Sequence, residues 1–240
     1  MLKLKDINII ETKATLATLP DSKLLINTIN AYSYNTAQKD DLFADALSKG
    51  HVLIPDGISI VIINRLLRKQ KMERIAGADL FDFEMNKLNT KGGKCFFLGS
   101  SEKTLDLICK RATYEYPNIK IETYSPPYKV EFTDEENKVM IDMVNKENPD
   151  LLWIGMTAPK QEKWAYTHFH ELNVNCHIGT IGAVFDFYAG TVKRAPVWLQ
   201  NLGLEWFYRF LKEPKRLWRR YILGNIFFLY YTSKELIYFK

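Results

Sequence analysis

The stretch "LIPDGISIVIINRLL", residues 53–67, decides how the chain is read. It begins as a short apolar run of the kind that forms a buried strand, and from Ile58 it continues as an apolar helix. Pro55, Asp56 and Gly57 form the joint. A strand that turns directly into a helix is half of a crossover unit, and crossovers join parallel strands. The carboxylate at the joint raises a second question. Asp56 either caps the following helix or is a group held for chemistry.

The same alternation recurs on both sides of this stretch. Strands are expected at 24–29, 51–54, 94–98, 119–123, 151–155 and 175–180, with helices at 35–48, 57–69, 77–88, 101–115, 134–147 and 159–171. The fold class implied is α/β: a single Rossmann-like domain, residues 1–195, with a mainly parallel sheet flanked by helices. Residues 196–240 are expected to form a basic, aromatic helical appendage. The opening "LKLKDINII" is expected to add a strand or hairpin.

Composition narrows the function classes. Of 240 residues, 47% are hydrophobic and 25% charged, as in ordinary globular proteins. The three cysteines fit no metal-ligand spacing and read as reduced thiols of a cytoplasmic protein. "MLKLKDINII" does not read as a signal peptide, and no apolar run reaches the roughly 20 residues of a spanning helix. The four histidines lack metal-ligand spacing and read as structural or surface groups. The net charge is +5, and its distribution is uneven. Lys193, Arg194, Arg209, Lys212, Lys215, Arg216, Arg219 and Arg220 crowd the tail among Trp198, Trp206, Phe207, Trp218 and Tyr221. After Pro214 a new helix is expected, with Leu217, Trp218, Tyr221 and Ile222 on one side. Lys215, Arg216, Arg219 and Arg220 fall on the other, a pattern suited to an anionic bilayer or a lipid-linked diphosphate.

The chemically distinctive residues fall where strands end, and in a parallel sheet those ends share one rim, where ligands bind. Thr28 and Asn30 in "INTIN" face one side by period-2 alternation and suit either a turn or hydrogen bonds to a sugar or nucleotide. Arg74 in "ERIAGADLF" leads into a glycine and a helix, a place for phosphate. Gly99 in "FFLGSSEKTLDLI" opens a strand–helix turn that suits a diphosphate, although the full G-x-G-x-x-G and the Walker lysine are missing. In "WIGMTAPKQEKW", Gly155 ends a strand, Pro159 is expected in the first helical turn, and Lys160 and Gln161 are candidate donors to phosphate or sugar oxygens. Asp186, between two phenylalanines, needs partners if buried. It suits a ribose, a base or a helix cap.

Together, "INTIN", "IPDGISIV", "ERIAGADLF", "GMTAPKQEKW", "IGAVFDFYAGTVKRAP" and "GLEWFYRFLKEPKRLWRRY" resemble the WecG/TagA/CpsF family, glycosyltransferase family 26, over most of the chain. The resemblance implies a metal-independent, inverting transfer of N-acetylmannosamine or its uronic acid from UDP to a polyprenyl-diphosphate-linked sugar. It implies work at the inner face of the cytoplasmic membrane, in teichoic acid or surface polysaccharide synthesis. It assigns Asp56 as base and Thr28, Asn30, Arg74 and Gln161 to the pocket, with Arg209, Arg216 and Arg219 in an appendage that closes over it. The pair Thr157-Ala158 and Ser59 depart from positions often glycine in the family. No D-x-D pair sits at a strand end to hold a metal, so no cofactor is expected. Asp56 is accordingly expected to be both helix cap and base. A soluble UDP-sugar-modifying enzyme such as an epimerase is the alternative. A nucleic-acid partner is not expected, and a homo-oligomer is left open.

Overall fold

A computed structural model describes residues 2–69 and 71–237, so the last three residues of the expected appendage 196–240 lie outside the described residues. Six strands, β1 (Leu24–Ile29), β2 (Val52–Pro55), β3 (Gly93–Gly99), β4 (Ile119–Tyr124), β5 (Leu151–Gly155) and β6 (His177–Thr180), form one sheet in the order β2-β1-β6-β5-β3-β4. Every pairing is parallel. Strands β2, β5 and β6 are buried along their whole length. That is why they appear in the sequence as continuous apolar runs rather than alternations.

Eight helices accompany the sheet: α1 (Ala31–Ala37), α2 (Asp41–Ser48), α3 (Ile58–Arg68), α4 (Gly77–Lys91), α5 (Glu102–Glu115), α6 (Asp134–Glu147), α7 (Lys160–Thr167) and α8 (Ala183–Ala189). Successive residues of β3 divide between the two faces of the sheet. Cys95 and Phe97 pack with Phe81, Trp153 and Phe185. Phe96 and Leu98 pack with Met140, Val144 and Trp164. A third cluster joins Ile29 and Leu53 to Tyr34, Phe43, Ile60 and Phe228. From β1 the chain winds to its neighbour β2 at one edge, and from β3 to β4 at the other. This reversal places a crevice at the carboxyl ends of the strands.

The tail continues as α9 (Val197–Asn201), α10 (Glu205–Lys212), α11 (Pro214–Trp218) and α12 (Gly224–Ile237), with one π-helical turn, Arg219–Leu223, between the last two. No described helix is long and apolar enough to cross a membrane.

Four local expectations are corrected. The opening residues form 3-10 turns at Leu4–Asp6 and Lys13–Thr18 rather than a strand or hairpin. The helix expected over 35–48 is two helices, because the Asp40 side chain accepts the N–H of Phe43 and starts α2 afresh. Helix α7 stops at Thr167 instead of 171, and Pro159 is its N-cap, outside the first turn. In the tail, Arg220 follows Leu217 by three residues and so shares its side of the helix. Leu217 is buried, whereas Trp218 and Ile222 are exposed, and Arg220 turns inward over the Tyr32 ring at 4.2 Å. The two expected faces, apolar inward and basic outward, are therefore mixed.

Candidate active site

The loops after all six strands line one cavity of about 2030 Å³. Single-ligand pockets are typically about 300–1,000 Å³, so there is room for two substrates. Its floor is the strand rim, and α10, the π turn and α12 contribute Glu205, Trp206, Arg209, Arg220 and Leu229 to its walls.

Asp56 sits at the end of β2 and lines this cavity. It does not cap α3, whose N-cap is Gly57 with no side-chain bond. Its backbone N–H is turned back to the carbonyls of Ile29 and Ile54. Oδ1 instead accepts the N–H of Gly77, the first residue of α4, at 3.3 Å, and the Asn30 side chain gives a second bond. Burial pushes the carboxyl above its usual range. The nearby Arg74 charge and these hydrogen bonds oppose the rise, and the Glu205 charge adds to it. The expectation that Asp56 both caps and acts as base thus loses its first half.

Asn30 holds its position by capping α1, accepting the N–H groups of Tyr32 (3.0 Å) and Ser33 (3.1 Å). Thr28, two residues earlier on the same side of β1, also lines the cavity, as do Arg74, Gly155, Lys160, Gln161 and Asp186. Several of these are already engaged. Arg74 donates to the Asp56 carbonyl (2.7 Å), the Gln200 carbonyl (3.4 Å) and the Glu205 carboxylate (3.2 Å). It therefore ties the appendage to the core beside Asp56. Lys160 donates to the Lys129 carbonyl at 2.6 Å and lies 3.4 Å over the Phe132 ring, pinning the 125–133 loop instead of standing free for a phosphate. Asp186 accepts from the Thr191 hydroxyl at 3.3 Å.

Gly99 is not among the lining residues. Its φ of +116° and the 2.5 Å that would separate a Cβ from the Gly155 carbonyl oxygen make it a packing glycine. Gly155 meets the same constraint against the Phe185 ring, at 2.5 Å. Of the four tail arginines, Arg209 and Arg220 line the cavity, whereas Arg216 and Arg219 do not. Arg216 pairs with Glu213 and Arg219 stacks on Trp218 at 5.4 Å, both exposed. Arg220 Nε is buried with no hydrogen-bond partner, and burial lowers its pKa. A half-buried cation with no ion-pair partner beside an open cavity is a site for an anion.

Two acids at the site, Glu205 and Glu162, carry no role in the sequence reading. Glu205 accepts a hydrogen bond from Arg74 (3.2 Å) and forms an ion pair with Arg194 (3.5 Å). Glu162, in the first turn of α7, is 2% exposed and lines the cavity. Its Oε1 accepts from Gln161 Nε2 at 2.8 Å, its Oε2 has no partner, and burial pushes its carboxyl up to about 7. Because Gln161 Oε1 accepts the Met156 N–H at 3.1 Å, the amide is fixed at both ends. A first-turn acid looks like a dipole partner in sequence, which is what hid it. None of the four histidines lines the cavity; His177, for example, is buried against Glu84 at 2.9 Å. Among the described residues no group of three or more His, Cys, Asp or Glu is placed to hold a metal.

Comparison with known proteins gives a consistent answer. A family model described as Glycosyl transferase WecG/TagA/CpsF family matches residues 2–240. The N-acetylglucosaminyldiphosphoundecaprenol N-acetyl-beta-D-mannosaminyltransferase of Bacillus subtilis (strain 168) is 34% identical over 196 residues, covering 82% of this chain and 74% of its own. The protein of that name from Bacillus spizizenii (strain ATCC 23059 / NRRL B-14472 / W23) is 31% identical, covering 77% and 69%. That from Staphylococcus aureus (strain MW2) is 27% identical, covering 86% and 79%.

Proposed function

The chain belongs to the WecG/TagA/CpsF family and is a glycosyltransferase, and from that premise we propose a specific reaction. It transfers N-acetylmannosamine, or its uronic acid, from UDP to the N-acetylglucosamine of a polyprenyl-diphosphate-linked acceptor. The transfer inverts the anomeric centre, uses no metal and takes place on the inner face of the cytoplasmic membrane. The relatives' names support the transferred sugar and the lipid-linked acceptor.

The observation that carries the reading is the Asp56 carboxylate, fixed by Gly77 N–H and Asn30 on the floor of a cavity that also holds Arg209 and Arg220. In the proposed step the acceptor hydroxyl oxygen forms a bond to the anomeric carbon as the bond from that carbon to the UDP oxygen breaks. The hydroxyl proton passes to Asp56, and the electron pair leaves with the diphosphate. A carboxyl raised by burial is a better base than a solvated one. The guanidinium groups supply the positive charge that the leaving diphosphate requires.

The test is a transfer assay with UDP-N-acetylmannosamine and a lipid-diphosphate N-acetylglucosamine acceptor, with chelator present. Asp56→Asn should retain UDP binding and the folded state while kcat falls by about 10²–10⁴-fold, the usual worth of a general base. Wild-type-like turnover in that variant rules Asp56 out. In the wild type, the acid limb of kcat should lie above the usual carboxylate range, because the base works only when ionised.

A further inference from the structure

The cavity that holds Arg209 and Arg220 is also lined by apolar side chains, the outer ones largely uncovered. Ile58 and Ile62 of α3 and Leu229 of α12 line it, and Ile62 and Leu229 are 50% and 61% exposed. Leu66, one turn beyond Ile62 on the same side of α3, is 59% exposed. Helix α3 does not need these side chains for its own packing, since Ile60, Val61, Ile63 and Leu67 bury its inner stripe. The outer face of such a helix normally carries charge. Here it carries two large aliphatic side chains about 6 Å apart along the axis. Exposed apolar surface that runs out of a binding cavity marks a ligand contact.

The ligand must match both ends of this arrangement. Arg209 and Arg220 call for an anion, and the α3 face calls for hydrocarbon directly attached to it. A sugar nucleotide has no hydrocarbon part. A polyprenyl diphosphate has both parts in that order, and the cavity has volume for it beside the donor.

We propose that the α3 face formed by Ile58, Ile62 and Leu66, together with Leu229, is the track along which the acceptor's isoprenoid chain leaves the cavity. The proposal rests on the glycosyl-transfer reading and deepens it by assigning a place to the lipid. It makes the chain a recognised part of the substrate, in addition to any role as a membrane anchor.

The experiment uses the full chain in detergent without vesicles, with UDP-N-acetylmannosamine as donor and two acceptors. Both carry N-acetylglucosaminyl diphosphate, one esterified to undecaprenol and the other to methanol. In the double variant Ile62→Ser, Leu66→Ser, the ratio of kcat/KM for the undecaprenyl over the methyl acceptor should fall about tenfold, equivalent to about 1.4 kcal/mol. Ile62→Leu alone, which keeps the face apolar, should leave the ratio as in the wild type. An unchanged ratio overturns the track. A fall seen only when vesicles are added assigns the face to the bilayer instead. A fall accompanied by a change in solution mass assigns it to a second copy of the chain. Absence of transfer to either acceptor by the wild type sinks the glycosyl-transfer reading itself, a result distinct from a lost chain preference.

Discussion

The sheet domain and the C-terminal appendage use apolar side chains in opposite ways. In the domain nearly every large aliphatic group on a strand is covered, and three clusters account for the packing. In the appendage α10 buries no residue, and α12 buries only Phe228, Thr232 and Glu235. Ile222, Leu223, Ile226, Phe227, Leu229 and Tyr230 stand exposed along one length of helix. The appendage is attached by Phe228, which enters the third cluster, by buried Leu217 and by a few polar contacts. Glu235 accepts the N–H of Leu4 (3.0 Å) and the hydroxyl of Tyr34, Asn35 donates to the Gly224 carbonyl (2.6 Å), and Arg74 and Arg194 hold Glu205. A segment held at a few positions while exposing hydrocarbon along the rest of its length is suited to meet a second apolar phase. That contrast supports the proposed membrane face.

The hardest test of the contrast is to remove the appendage. Truncation after Ala195 should abolish transfer and binding to anionic vesicles, because Arg209, Arg220 and the exposed apolar stripe go together. The remaining core should keep its secondary structure by circular dichroism. Loss of Phe228, which packs edge-on against Tyr34 at 5.4 Å, should make it self-associate in sedimentation. Unchanged vesicle partition would defeat the membrane role.

A smaller effect should distinguish the tail arginines from one another. Arg220→Ala removes a half-buried cation whose buried Nε has no partner, so transfer should fall by about 10²–10³-fold, as for an electrostatic donor. Thermal stability should hold or rise, since the desolvation penalty of that charge disappears. Arg216→Ala, exposed and outside the cavity, should lower transfer much less. Equal losses in the two variants would place the diphosphate elsewhere.

The smallest effect probes the core side of the cavity. The Glu162 carboxyl is pushed up to about 7 from an ordinary 4.5. Between those two values the folded state binds more protons than the unfolded state, so wild-type stability should decline as pH rises through that window and level off above it. The full span corresponds to roughly 3 kcal/mol. Glu162→Gln should flatten this slope in urea titrations at pH 5, 6 and 8, and should raise stability at pH 8 relative to wild type. An unaltered slope would mean that the carboxyl is solvated in solution.

The fold was legible in the sequence because fully buried parallel strands leave continuous apolar runs, and all six expected strands lie within two residues of those found. Helix breaks were less legible. Asp40 looks like one more polar residue in a helical pattern until its side chain is seen closing on Phe43 N–H. The N-terminal segment failed for a related reason: its alternating apolar residues, Leu2, Leu4, Ile7 and Ile9, are buried by the third cluster and not by sheet pairing. Residues at strand ends were readable as a group, since any parallel sheet collects them on one rim. Their individual partners were not, because Arg74, Lys160 and Asp186 are engaged by groups that lie far away in the chain or in loops without periodicity.

The sequence by itself determined the parallel sheet, the rim on which Thr28, Asn30, Asp56 and Gln161 gather, and the basic, aromatic character of the tail. All three follow from local periodicity and composition. Tertiary structure alone decided that Asp56 is held by the start of α4 instead of capping α3, that Glu162 fixes Gln161, and that Arg220 lines the cavity while Arg216 and Arg219 stay outside. Those outcomes depend on which distant groups meet and on how the appendage packs over the sheet rim, and spacing along the chain does not record that.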